Sequence, residues 1–143
     1  MDIVVGGLIE KDGKFLLVQE NKEKYRGKWN IPAGRLNDNE TILEGAKREI
    51  LEECGCIVEP NGILQIANKV SMNKTFISII FSTKLLVDEI KFDLKEILDV
   101  KWFNYEEILD MKEELRAHDL IIDVIEKYIK GNIYNLDIIK ISD

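Results

Sequence analysis

The chain has 143 residues, and 20 Lys and Arg against 27 Asp and Glu leave a formal net charge of −7. That length fits one domain around one core, and a hydrophobic fraction of 45% can fill it, which excludes a disordered chain. The longest uncharged apolar stretch, Thr75 to Thr83, is nine residues and too short to cross a bilayer. Met1-Asp2-Ile3 opens no basic, cleavable apolar segment, so a cytoplasmic protein without a membrane partner is expected. The acidic balance argues against a nucleic-acid polymer as partner, and it would repel an anionic small molecule unless a cation intervened.

In chain order, Asp2 to Glu10 and Phe15 to Glu20 are rich in Val, Ile and Leu, and Lys11-Asp12-Gly13-Lys14 between them predicts a hairpin. Asn21 to Lys28 is polar and basic, hence a loop. Trp29 to Gly34 reads as a short extended piece, because Pro32 excludes helix. Thr41-Ile42-Leu43-Glu44 fits a capping box that starts a helix. Leu43, Ala46, Ile50 and Cys54 recur along it at core-facing spacing, and Gly55 ends it. Ile57 to Val70, bent or broken near Pro60-Asn61-Gly62, and Phe76 to Val87 are strand candidates, as is Ile97 to Phe103. A short helix is predicted at Tyr105 to Met111. A longer one at about Glu113 to Lys130 would turn Leu115, His118, Ile122, Ile125 and Ile129 inward, with His118 partly buried. Gly131 stops it, and Asn132 to Asp143 is assigned a last strand. Strands enclosing one early helix and followed by helices suggest a layered α/β domain over residues 1–143.

Chemistry concentrates between Gly34 and Cys56. Glu49, Glu52 and Glu53 stand at i, i+3 and i+4 and crowd one helix face, where like charges repel by roughly 0.2–0.5 kcal/mol per pair. Three carboxylates there suit Mg²⁺ or Mn²⁺, which bind carboxylate and phosphate oxygens together. Taken alone, they fit a solvated acidic face better than a metal site, because acidic helix faces are common. Cys54 and Cys56, one residue apart, lack the Cys-x-x-Cys redox or zinc spacing, and His118 is the single histidine.

Gly34, Glu40, Arg48, Glu49, Ile50, Glu52, Glu53 and Gly55 stand at fixed gaps within a 23-residue segment. Their order is Gly, five residues, Glu, seven residues, Arg-Glu-aliphatic-x-Glu-Glu-x-Gly. This pattern resembles the signature of the Nudix hydrolase family (MutT-like proteins); Cys56 fills a position that is aliphatic there. Trp29 to Ala33 before it, and Val100 to Phe103 with Glu106, Glu107 and Ile108 after it, extend the resemblance over most of the chain. The resemblance implies an α/β (α+β) fold, an α/β/α sandwich with a central mixed sheet. It implies Mg²⁺ (Mn²⁺ possible) held by Glu49, Glu52, Glu53 and the Gly34 carbonyl. Glu40 and Arg48 match a bracing pair in preference to direct ligands. The general base is Glu49 or a later carboxylate, Glu96 first and Glu89 second. The implied activity is cleavage of a pyrophosphate linkage in a nucleoside diphosphate derivative by in-line attack of water. The alternative is a non-catalytic nucleotide-sensing module of the same fold, which intact carboxylates disfavour.

Lys22, Lys24, Arg26 and Lys28 form a basic cluster before Trp29. Arg26, Lys28 and Arg35 are the candidates to guide substrate phosphates, against the alternative of a solvated loop. Trp29, Trp102 and Phe103 are read as core. Ser71-Met72-Asn73-Lys74 carries neither the proline nor the tyrosine that marks the ADP-ribose and dinucleoside-polyphosphate groups of the family. A nucleoside triphosphate or related nucleotide is then the default substrate, acted on by a monomer or homodimer.

Overall fold

A computed structural model describes residues 1–142. The chain forms β1 (Asp2–Leu8), β2 (Glu10–Lys11), β3 (Lys14–Glu20), β4 (Trp29–Asn30), β5 (Ala33–Arg35), α1 (Ile42–Cys54), β6 (Ile57–Ser71), β7 (Lys74–Val87), β8 (Ile97–Phe103), α2 (Tyr105–Asp110) and α3 (His118–Ile129). This is a mixed α+β fold with a central mixed sheet. One sheet has the order β5-β1-β7-β6, with β1 parallel to β7 and its other pairs antiparallel. The second joins β2, β4 and β8 around β3, all antiparallel.

The run Phe15-Leu16-Leu17-Val18 is buried throughout because β3 is covered on both faces. Phe15 and Leu17 pack with Trp29, Leu115, Ile121 and Ile125 on the α2–α3 side. Leu16 and Val18 pack with Ile50 and Cys54 of α1 on the other. The same split recurs in β7, where Ile80 joins the α3 side and Phe81 joins Val5 and Ala46 of the α1 side. Helices therefore flank the strands on two sides, which is the expected layering.

The predicted hairpin between residues 2–10 and 15–20 is corrected in its pairing. Asp12 and Gly13 both take positive φ (51° and 79°), as a type I′ turn needs, but the turn joins only β2 to β3. The chain bends at Ile9, and β1 leaves for the other sheet, where it lies between β5 and β7. The extended Trp29–Gly34 piece is two short strands: Trp29–Asn30 pairs with β3, and Ala33–Arg35 pairs with β1. Ile31 and Pro32 carry the chain from one sheet to the other.

The helix predicted from Glu113 starts later, at His118. Lys112–Glu114 is a short 3₁₀ turn, and Leu115 is extended. Leu115 bridges Trp29 in parallel, and the Arg116 N–H donates to the Trp29 carbonyl at 2.9 Å. Docking on β4 thus overrides helical periodicity here. The inward face becomes Ile121, Val124 and Ile125, while His118 and Ile129 are exposed, against expectation. The predicted last strand shrinks to one bridge between Ile63 and Tyr134 and a 3₁₀ turn at Leu136–Ile138; Asp143 lies outside the described residues. No helix among the described residues is long and apolar enough to cross a membrane.

Candidate functional site

The site is built on α1 and the β5 strand beside it. The helix starts as its sequence dictates: Thr41 Oγ1 accepts from the Glu44 N–H at 3.1 Å, and Glu44 Oε1 accepts from the Thr41 N–H at 3.0 Å. Gly55 ends it at φ 82°, a left-handed conformation that glycine adopts without steric cost. Ala46, Ile50 and Cys54 are buried, as their spacing requires. This fixes the rotation of the helix and sends Arg48, Glu49 and Glu53 toward β5.

Arg48 is the hub. Its Nε and Nη2 donate to both oxygens of Glu40, at 2.9 and 2.6 Å. Nη2 also donates to the Arg35 carbonyl at 3.0 Å, and Nη1 to Glu49 at 2.8 Å and Glu52 at 3.2 Å. The Asn37 N–H donates to Glu40 Oε1 at 2.7 Å. A bidentate guanidinium–carboxylate pair of this kind is strong and directional, and it ties the loop after β5 to the helix. Arg48 holds the Glu40 carboxyl at about 2, well below the usual carboxylate value.

The three helix glutamates do not share one environment. The Glu52 side chain is 58% exposed, whereas that of Glu49 is 13% exposed. Glu53 is inward, and its Oε1 accepts from the Ala33 N–H at 2.9 Å. Burial pushes the Glu53 carboxyl up to about 8; the Ala33 N–H opposes this, and the charges of Glu49 and Glu20 add to it. Burial also raises Glu49, against the pull of Arg48. Gly34 pairs with Val5, and a Cβ on it would overlap the Glu49 carboxylate. Gly34→Ala is therefore expected to fold, because the obstructing atoms end a movable side chain, but to displace that carboxylate. Turnover should fall while the metal-free melting temperature changes little; a variant with wild-type turnover would mean that Glu49 need not lie over Gly34.

The structure disperses the other sequence candidates. Glu96, 62% exposed, pairs with Lys22 at 3.7 Å. Glu89 lines a groove of about 690 Å³ together with Leu51, Glu52, Gly55, Ile57 and Phe92. Arg26 Nε donates to Asn21 Oδ1 at 3.0 Å, and Lys28 Nζ to the Glu113 carbonyl at 2.5 Å. Arg35 reaches Asp2 at 3.5 Å. In the basic loop, Lys22 is the cation whose charge acts on Glu20, Glu49 and Glu53 alike.

Glu20 and Arg116 were not singled out by sequence reasoning. Glu20 is 4% exposed, with Oε1 2.8 Å from Arg116 Nη1. The Arg116 guanidinium lies over the Tyr25 ring, 3.9 Å from its centroid. The available signal was a carboxylate at the next alternate position of β3 after the buried Leu16 and Val18.

A family model described as NUDIX domain matches residues 2–123. The chain belongs to the Nudix hydrolase family. This Nudix chain is similar to the human protein 8-oxo-dGDP phosphatase NUDT18, at 30% identity over 119 residues, covering 83% of this chain and 36% of that protein. It is also similar to phosphatase NudJ of Escherichia coli K12, at 35% identity over 86 residues, covering 58% and 54%. The chain thus spans from about a third to about a half of the length of the curated relatives it matches. Among solved structures, a NUDIX hydrolase from Nitrosomonas europaea superposes with a TM-score of 0.89 at 31% identity, covering 99% of this chain and 97% of that one. A MutT protein from Methanosarcina mazei Go1 gives 0.76 at 33% identity, covering 92% and 94%.

Nudix hydrolases work with divalent metal ions, and the donors present fit such an ion in chemistry. They are hard oxygens from Glu49, Glu52, Glu53 and the backbone of Gly34. Glu20 Oε2 is buried without a hydrogen-bond partner. Among the described residues no three acidic, His or Cys side chains form a finished cage; Arg48 engages Glu49 and Glu52, and the Ala33 N–H engages Glu53.

Proposed function

We propose that this chain hydrolyses the pyrophosphate linkage of a nucleoside diphosphate derivative with the help of Mg²⁺. The observation that carries this reading is the pair of inward carboxylates, Glu49 over Gly34 and Glu53 on the Ala33 N–H, in a position where unneutralised charge is costly. Glu49, Glu52, Glu53 and the Gly34 carbonyl would hold the cation. When bound, the ion neutralises the substrate's phosphate oxygens and lowers the pKa of water.

The residues of the chain do the rest. Arg48 and Glu40 keep the loop after β5 on α1, so that the backbone of Gly34 and the side chain of Glu49 stay together. Water attacks phosphorus in line, and the bond from phosphorus to the bridging oxygen breaks. The proton lost by the water passes to a carboxylate, and the leaving phosphate departs with the bridging electrons. We assign that base to Glu49. Its burial favours the protonated form once the proton arrives, whereas Glu96 is exposed and paired with Lys22. Lys22, whose charge acts on Glu49 and Glu53, supports the approach of an anion.

The human relative's name specifies a nucleoside diphosphate, so the substrate class extends beyond the triphosphates. The test is an Mg²⁺-supported hydrolysis screen over nucleoside triphosphates, nucleoside diphosphates including 8-oxo-dGDP, nucleotide sugars, ADP-ribose and dinucleoside polyphosphates. Release of a phosphorylated product is expected from at least one of them. Silence across the panel would favour a nucleotide-sensing module. On the substrate found, Glu49→Gln should lower kcat by about 10²–10⁴-fold, the usual contribution of a general base. Glu96→Gln and Glu89→Gln should stay close to wild type; a comparable loss in Glu96→Gln would move the base to that residue.

A further inference from the structure

One more carboxylate, outside the signature segment, enters the same interior. Glu20 closes β3 and pairs with Ile97 of β8. Ile97 belongs to the cluster that Leu16, Val18, Ile50 and Cys54 form on the α1 side. The register shifts between Gln19 and Glu20, but Ile97 opposite Glu20 packs with Leu16 and Val18 and so places Glu20 on their side, and its charge is felt at Glu53. Ile50 and Cys54 of that cluster directly follow Glu49 and Glu53 in α1, so Glu20 lies on the face against which the helix of these carboxylates packs.

The two oxygens of Glu20 are used unequally. Oε1 meets Arg116 Nη1 at 2.8 Å, while Oε2 is buried and accepts nothing. A carboxylate serving only as the counter-ion of an arginine gains most from the bidentate fork that Glu40 makes with Arg48. Glu20 forgoes it. Arg116 is held elsewhere as well, by its backbone bond to Trp29 and by its stacking on Tyr25. An orphaned buried acceptor costs about 1–3 kcal/mol, more when charged, and a hard cation in this neighbourhood would relieve that cost.

We propose that Glu20 is a fourth carboxylate of the divalent-cation site, with Oε1 held by Arg116 and Oε2 left for the cation. This rests on the reading that Glu49, Glu52 and Glu53 bind such an ion. The experiment uses Mn²⁺ alone, without nucleotide, titrated into the whole chain and followed by electron paramagnetic resonance and by thermal melting. Glu20→Gln should weaken Mn²⁺ binding by about tenfold or more, the scale of losing a supporting group at a metal site. Arg116→Gln keeps the carboxylate, so it should bind Mn²⁺ at least as well as wild type and gain more melting temperature from it. If Glu20→Gln does not fold, Glu20→Asp keeps the charge with a shorter reach and should still bind several-fold more weakly. Wild-type affinity in the Glu20 variants, or equal losses in the Glu20 and Arg116 variants, would make the two residues a structural ion pair and overturn the proposal. Glu53→Gln separates the two levels. If it and the wild type bind Mn²⁺ equally, or neither binds, the underlying reading of the site fails too.

Discussion

Glu53→Gln should abolish measurable turnover and, without metal, make the protein more stable near pH 8, the value to which burial lifts this carboxyl. The loss of rate follows from removing a charged ligand where the ion's stabilisation of transition-state charge is worth several kcal/mol, a factor on the order of 10³. The gain in stability follows from linkage. Between the ordinary value of 4.5 and about 8, folded Glu53 holds a proton that the unfolded chain has released. Stability from this group is therefore complete below the lower value and is lost as pH rises through the upper one. Glutamine keeps an acceptor for the Ala33 N–H and carries no charge to desolvate. Metal-free melts at pH 5 and pH 8, with chelator present, should show wild type falling more steeply than the variant. Glu20 and Glu49 shift in the same direction, so some slope should survive. A variant that melted well below wild type at pH 8 would show that the carboxylate itself holds the fold.

Arg48→Ala is expected to be the most destabilising single change at the site. It strips both oxygens of Glu40, leaves the mostly buried Glu49 without its cation, and frees the Arg35 carbonyl. Removing one partner from a buried pair costs about 3–5 kcal/mol, and the partial exposure of Arg48 places the expected loss at the lower end. Arg48→Lys should recover little, because a point charge cannot reproduce the fork. Glu40 supplies an acid-side signature. Its folded value near 2 lies below the ordinary 4.5, so its contribution is complete above 4.5 and is lost as pH falls toward 2. Chemical denaturation of Glu40→Gln should show a shallower loss of stability over that range. A slope equal to wild type would mean that the pair does not brace the loop.

Much of the site was legible because its determinants are local. Thr41, Glu44 and Gly55 decide where α1 starts and stops through contacts within a few residues, and the spacing of Ala46, Ile50 and Cys54 shows which way it faces. β8 was legible for the same reason. What escaped was partner choice over distance. The Asp12-Gly13 turn was readable, but nothing near it says that β1 prefers β7 to β3. The apolar spacing after Glu113 is helical, yet Leu115 and Arg116 are taken by Trp29, far back in the chain. Arg26, Lys28 and Arg35 have the right charge for a phosphate, and only the fold reveals that each is engaged elsewhere. Glu20 was hidden by its place at the end of a strand, where a charge ordinarily meets solvent.

The parallel pairing of β1 with β7 also orders events during synthesis. Asp2 through Leu8 align with Phe76 through Ser82, so the strand at the centre of that sheet is made long before its partner. β6 and β7, joined by Met72 and Asn73 at positive φ, need only their own turn to pair. That local hairpin can form early, while β1, whose parallel partner lies far along the chain, must wait for β7. A nascent chain halted before Phe76 would leave β1, and the Gly34 strand that pairs with it, without the β7 side of the sheet.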